Sequence, residues 1–394
     1  MIEEGFFRLR TYCEAENYRG WDPYDGLNSR LFQATPLRHW DLARLVLIQL
    51  CKRSPVNLRP VLRVPKQHNA KGISLFLNGY CNLYRLAAKG DDRFGSLESL
   101  RSRIDELAGL LLSMRSPGYS GACWGYNFDW QARRLFMFPA NTPTVVATTF
   151  CASALFEAYE ITNNDLYLQT ALSSANFVLN DLRRSEQKGG FILSYSPLPG
   201  NDTVYNASLL GAKLLSYCYH YTQNNTYKDV AREIVNAACE GQSHDGSWVY
   251  GLLPVQGWID SFHSGYNLEA ISYYARFCED DSYDEALQRG LDFYLSNFFL
   301  ADGTPKYYHD EKYPIDIHCP GQLLVTMSAV GEFQRNSALC EKVANWTLKN
   351  MQDKRGYFYY QVKRTLSSKI SYMRWSNAFM FNALSYFLVE THGE

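Results

Sequence analysis

The side chains best suited to moving protons stand at the starts of two helical patterns. Asp260 and His263, within Trp258-Ile-Asp-Ser-Phe-His-Ser-Gly-Tyr266, are three apart, a spacing that lets both face one way on a helix. Asp316 and His318, within Pro314-Ile-Asp-Ile-His318, are two apart and fall where residues ahead of the first turn can still be extended. Two carboxylates facing each other across a cavity could serve as general acid and general base on a glycosidic bond, and glycoside hydrolysis is the preferred reading because Asp outnumbers well-placed Tyr-His pairs at these helix starts. The histidines could instead carry protons, or neutralise a uronate carboxylate while a tyrosine removes the α-proton, as in elimination or epimerisation. The competing reading makes Asp260 the cap of its helix, accepting backbone N–H groups, and leaves the histidines structural.

Substrate contacts are expected from residues that pair a flat apolar face with a polar tip. Aromatic residues make up 15% of the chain, with 29 Tyr among them, and most fill helix interfaces. The candidates for a binding role are Trp248, Trp258 and Tyr266 around the first histidine, Tyr126, Asp129 and Trp130 in an earlier turn, and Tyr195. Arg374, Trp375 and Asn377 open the last helix, where Arg suits a carboxylate and Trp suits stacking, although Trp375 would serve equally as core. Trp21, Asp22 and Asp25 lie in a loop of turn formers, Gly20-Trp-Asp-Pro-Tyr-Asp-Gly-Leu-Asn-Ser29, where the acids could equally organise the turn itself.

Several chemistries are disfavoured. The 39 basic and 40 acidic residues are mixed along the chain and offer no basic field for a nucleic acid. No C-x-x-C, H-E-x-x-H, G-x-S-x-G or phosphate-loop motif occurs, so no metal or cofactor is expected. His244 with Asp260, His263 and Asp316 would form a metal set only if the fold were assumed. The ten cysteines sit singly, read as buried thiols, and together with the lack of an 18-residue apolar run suggest a cytoplasmic protein without a transmembrane segment.

The elements that must position these groups recur. Helical patterns span about residues 39–51, 72–88, 97–114, 144–160, 165–182, 204–221, 227–239, 258–277, 282–297, 314–334, 337–351 and from 372 onward. Asn141 or Thr142 is the expected cap of the fourth, with Pro143 in its first turn. Turns followed by aromatic strands precede alternate helices, at 121–130, 189–195, 245–250, 302–308 and 356–360, roughly 50 to 70 residues apart, a repeat period. Residues 1–38 read as a short amphipathic segment and a loop.

Twelve helices in six hairpins fit an all-α (α/α)6 toroid, one domain over residues 1–394, with short aromatic β-hairpins and loops on one face. The helix starts then point into a shared funnel, to which residues 1–38 contribute. Helix dipoles at those starts favour anionic groups such as uronates. In this arrangement the chain resembles the six-hairpin superfamily of glycoside hydrolases, unsaturated glucuronyl hydrolases, polysaccharide lyases and uronate epimerases. The stretches Gly20–Ser29 and Trp258–Glu269 further resemble proteins of bacterial exopolysaccharide gene clusters, the VpsJ type. That resemblance implies a carbohydrate ligand and a role in making or trimming surface polysaccharide, and assigns no catalytic residue. A non-catalytic toroid that binds glycan or a partner protein is the competing class. Asp245-Gly-Ser-Trp248 is similar to the aromatic repeats of terpene cyclases, but the D-x-D-D motif of those enzymes is missing.

Overall fold

A computed structural model describes residues 1–131 and 137–392. Among these residues, six helices form an inner ring: Ala70–Ala88, Val145–Thr162, Tyr205–Thr222, Ser261–Cys278, His318–Ala329 and Phe379–His392. Each packs on the next, and the sixth packs back on the first. Six more surround them: Ile2–Ala15, Leu97–Ser113, Asp165–Asn176, Asn225–Glu240, Asp284–Phe298 and Ser337–Met351. The first of these touches the sixth outer and sixth inner helices, which closes the outer circle.

The division follows from residue type. Inner helices such as Val145–Thr162 bury side chains all round, whereas an outer helix such as Asn225–Glu240 buries one stripe, Val230, Ala231, Ile234, Val235, Ala237 and Ala238. Those are the patterns of a core helix and an amphipathic one. The chain alternates outer then inner. Returns from inner to outer helices are short, turning at left-handed Asn163, Gln223 and Glu279. The longer outer-to-inner crossings, with their turns and hairpins, therefore gather at the inner-helix N-termini.

Glycine makes the crossings fit. Gly121, Gly190, Gly246, Gly303 and Gly356 each lie against a backbone carbonyl of the neighbouring outer helix, on Ser173, Glu233, Arg289, Lys342 and Arg8 respectively, leaving no room for a Cβ. Gly356, at φ +104°, meets Arg8 across the seam where the ring closes. Gly356→Ala should lower stability by at least about 1 kcal/mol, through both strain and the clash, read as a shifted denaturant midpoint.

Three sequence expectations change. The helix Asp41–Arg53 lies outside both rings, in the long crossing between the first outer and first inner helices, and packs on residues 25–28, 36–39 and 130–131. Its place among the twelve is taken by Ile2–Ala15, which buries Phe6, Leu9 and Cys13 completely while Asp41–Arg53 buries only Ile48 and Cys51. The cap of the second inner helix is Thr144, whose side chain accepts from the Ala147 N–H at 3.0 Å; Asn141 is instead left-handed, at φ 64°. Finally, only some aromatic runs are strands. Trp130–Gln131 pairs with Met137–Phe138, Arg184–Gln187 with Gly190–Leu193, and Ile315–Asp316, Tyr359–Val362 and Ser368–Ser371 form a three-stranded sheet. Residues 248–250 are irregular, followed by a lone bridge from Gly251 to Val204, and residues 302–308 carry two lone bridges, Pro305 to Phe299 and Tyr308 to Asp260.

Candidate functional site

The fourth inner helix begins on a fully used carboxylate. Asp260 Oδ1 accepts the His263 backbone N–H at 3.0 Å, and Oδ2 accepts the Trp258 indole N–H at 3.0 Å and meets His263 Nδ1 at 2.7 Å. The Asp260 side chain has no exposed surface, while His263 keeps 20%. An ionised carboxylate only accepts, so Nδ1 carries the imidazole proton and Nε2 is the basic nitrogen. Asp260 is thus both the helix cap and the group that fixes the tautomer of His263.

Asp316 repeats the design. It ends the strand Ile315–Asp316, and its Oδ1 accepts the His318 backbone N–H at 3.0 Å and the Trp375 indole N–H at 2.9 Å. Oδ2 accepts from Gln361 at 2.7 Å. Complete burial outweighs these donors and lifts the Asp316 carboxyl to about 6. Each buried aspartate therefore grips one half-buried tryptophan. Burial also raises the Tyr307 phenol well above its usual range, and Asp260 and Asp316 both add to that rise, so the two acids share one neighbourhood.

Aromatic rings join the two ends. Trp258 stacks on Tyr250, with centroids 4.5 Å apart, and Tyr250 lies 4.7 Å from the His263 ring. Phe262 stands 3.9 Å from His263, 5.2 Å from His318 and 6.1 Å from Trp375. Trp375 is 5.7 Å from Tyr24, which is 6.3 Å from Trp130. Arg374 lies over Tyr126 at 5.0 Å, and the hydroxyls of Tyr126 and Tyr195 are 3.4 Å apart. The result is a continuous floor, with Tyr24, Tyr126, Trp130, Tyr195, Tyr250, Trp258, His263 and Trp375 each only partly buried. Mid-helix residues including Asn78, Glu157, Lys213 and Glu269 line a cavity of about 50 Å³, room for a few waters.

The sequence matches no family model and no curated protein. Solved structures do match. A GH76 alpha-mannanase from Bacteroides thetaiotaomicron superposes with a TM-score of 0.63 at 14% identity, covering 94% of this chain and 99% of that one. A cellobiose 2-epimerase from Bacillus thermoamylovorans gives 0.61 at 13% identity, covering 82% and 90%. An unsaturated glucuronyl hydrolase specific for heparin gives 0.58 at 12%, covering 82% and 86%. The fold is the (α/α)6 toroid.

Within the toroid, the residues singled out in the sequence separate into two groups. Trp258, His263, Trp375, Trp130, Tyr126 and Tyr195 belong to the connected array of partly buried rings. Trp248 does not: it is 3% exposed, donates to the Ala238 carbonyl at 2.9 Å, and is core. Asn377 is fully buried and ties the last helix start to the Ser368–Ser371 hairpin through Phe358 N–H and Ser371 Oγ. Asp129 accepts the Ala140 N–H and holds its own hairpin. Trp21 is tied to the Val64 carbonyl and packs against Tyr360 and Tyr372.

The first loop is bound by charge. Arg374 donates twice to Asp22, at 2.5 and 2.8 Å. Arg59, fully buried, donates to Asp25 at 2.6 Å, to the Asp22 carbonyl and to the Tyr372 hydroxyl. Burial raises Asp25 to about 6, against the pull of Arg59 and with the push of Asp22. These acids lock the loop onto the toroid. His318 is 2% exposed; burial, with Lys71 and Arg374 nearby, holds its pKa well below the usual value, so it is neutral among Phe262, Trp375 and Phe379. Its Nδ1 has no hydrogen-bond partner among the described residues.

Sequence reasoning passed over Lys71, which stands one residue ahead of the helical pattern at 72–88. It lies in the first turn of the first inner helix, 4% exposed, donating to Tyr266 at 3.1 Å and facing the Phe150 ring at 4.0 Å. Burial and then Arg374 depress its pKa well below the usual value. Tyr24 and Tyr250 were also passed over as ligands, although both stand inside motifs already noted. Among the described residues no group of three or more His, Cys, Asp or Glu could hold a metal ion, and no helix is long and apolar enough to cross a membrane.

Proposed function

We propose that this protein is a carbohydrate-active enzyme that binds a saccharide across Trp258 and Trp375 and moves a proton through His263. The observation that carries this reading is the paired geometry: two half-buried indoles, each fixed by a buried aspartate, are joined through Tyr250 and Phe262 to one partly exposed imidazole whose tautomer Asp260 fixes. Indole faces suit the apolar faces of sugar rings, and a carboxylate-backed histidine is an effective proton carrier. Asp260 and Asp316 act here as positioning groups. Solved toroids whose names describe glycan hydrolysis and sugar epimerisation support the ligand class, and the likeness of Gly20–Ser29 and Trp258–Glu269 to exopolysaccharide-cluster proteins supports a bacterial polysaccharide or its fragments.

Proton transfer at a sugar carbon, by elimination or epimerisation, fits a site whose reachable base is an imidazole. Glycoside hydrolysis is the second reading, favoured by the Asp316 carboxyl, which at about 6 could hold a proton for a leaving group. Incubation with neutral and uronate-containing oligosaccharides tests both. Unsaturated-uronate absorbance or deuterium uptake at carbon supports the first, new reducing ends the second, and none of these with any saccharide overturns the reading.

Asp316 also has a pH signature. Its folded pKa lies above the ordinary carboxylate value, so its contribution to stability is complete below about pH 4 and is lost as pH rises through about 6. Asp25 adds a slope of the same sign. Asp316→Asn should therefore flatten the fall in unfolding midpoint between pH 4 and 7 by about half, measured by thermal melts. In the hydrolysis reading it should also lower turnover by about 10²- to 10⁴-fold and leave a residual activity that no longer falls above about pH 6.

A further inference from the structure

The long crossing between the first outer and first inner helices has a composition unlike the rest of the chain. Residues 30–66 hold eight Lys and Arg against one acid, Asp41, in a protein whose totals are 39 and 40. Three of those cations are committed to carboxylates: Arg44 to Asp41, Arg59 to Asp25 and Lys66 to Glu16. Arg30, Arg38, Arg53 and Arg63 are exposed, and none has a carboxylate partner among the described residues.

The same segment leaves large apolar side chains in water. Leu42, Val46 and Leu50 form one i, i+4, i+8 stripe along the helix Asp41–Arg53, 72%, 56% and 53% exposed, and Trp40 ahead of it is 63% exposed. Val56 and Val61, beyond the helix, are also exposed. The helix packs its other side, through Ile48 and Cys51, on the protein. An exposed aliphatic stripe on a helix packed against the body, led by a tryptophan and set in a segment whose exposed arginines lack carboxylate partners, has the chemistry of an interfacial helix.

We infer that residues 30–66 are a docking surface for an anionic phospholipid bilayer, with the Leu42, Val46 and Leu50 stripe and Trp40 entering the headgroup boundary and Arg30, Arg38, Arg53 and Arg63 meeting lipid phosphates. Charge decides for lipid over a second copy of this chain. A two-fold contact would place the same four arginines against each other with Asp41 as the one acid of the segment, already held by Arg44. The inference is independent of the reaction proposed for the funnel.

Co-sedimentation of the full chain with phosphatidylcholine vesicles, with and without phosphatidylglycerol, tests it. The expected result is at least tenfold tighter binding to the phosphatidylglycerol vesicles, weakened by high salt. R38E/R53E and, separately, V46E/L50E should each lower that binding at least tenfold while keeping the wild-type circular dichroism and melting midpoint. Binding that is absent, indifferent to phosphatidylglycerol, or unchanged in R38E/R53E would overturn the inference. So would a concentration-dependent dimer in light scattering that these substitutions dissolve, since the face would then cover a second copy.

Discussion

His263→Ala is expected to lower turnover of a saccharide substrate by about 10²- to 10⁴-fold, the range that a positioned acid or base supplies. Binding should change little, because the substitution leaves Trp258 on Tyr250 and Trp375 on Asp316. The fold should also survive. Asp260 loses one of its three donors but keeps the Trp258 indole and the backbone N–H of residue 263, so the expected cost is about 1 to 2 kcal/mol. Asp260→Asn should match the loss of turnover by a different route, since an amide can present its NH₂ group to the imidazole and release the tautomer that the carboxylate imposes. Steady-state kinetics and a melt on both variants separate the two effects. Full turnover in His263→Ala would remove the imidazole from the mechanism.

Asp22→Ala carries the largest expected loss of stability. Arg374 is 5% exposed and its only carboxylate partner among the described residues is Asp22, through two parallel hydrogen bonds. Removing that carboxylate strands a cation among the rings of Tyr126 and Trp375. Breaking a buried pair from one side costs about 3 to 5 kcal/mol, whereas replacing both members by apolar groups can cost far less. The double variant Asp22→Ala, Arg374→Met should therefore recover much of the loss, and urea denaturation of the four proteins in the cycle measures the coupling. A single-variant loss below about 1 kcal/mol would show that the loop is held by other means.

The repeating alternation of turn, aromatic run and helix was enough to read a closed double ring, because five crossings share a glycine seated on the next outer helix. Membership of the ring was harder. Leu42, Val46 and Leu50 have the spacing of a buried stripe, and periodicity cannot distinguish a face turned to the core from one turned outward. Ile2–Ala15 fills the outer position with fewer apolar residues, buried completely.

The site was legible in part. Asp260 and His263 were visible as a pair because three residues separate them on one helix. The matching role of Asp316 was not, since its indole partner is Trp375, 59 positions away. Trp248 and Trp258 look alike in sequence. One donates its N–H to a helix carbonyl in the core and the other to Asp260 at the funnel floor, a difference set by how each crossing folds. Lys71 sat in a run of Pro and basic residues, and only the cap at Asn69, accepting from Gly72 N–H, makes it the first turn of an inner helix.

A structure determined with a bound oligosaccharide would locate the sugar relative to Trp258, Trp375 and His263. The expected result is a sugar ring lying flat on Trp258 or Trp375, with a reacting carbon or oxygen within hydrogen-bond reach of His263 Nε2. A saccharide bound elsewhere on the protein, or binding by no acidic or neutral glycan at all, would contradict it.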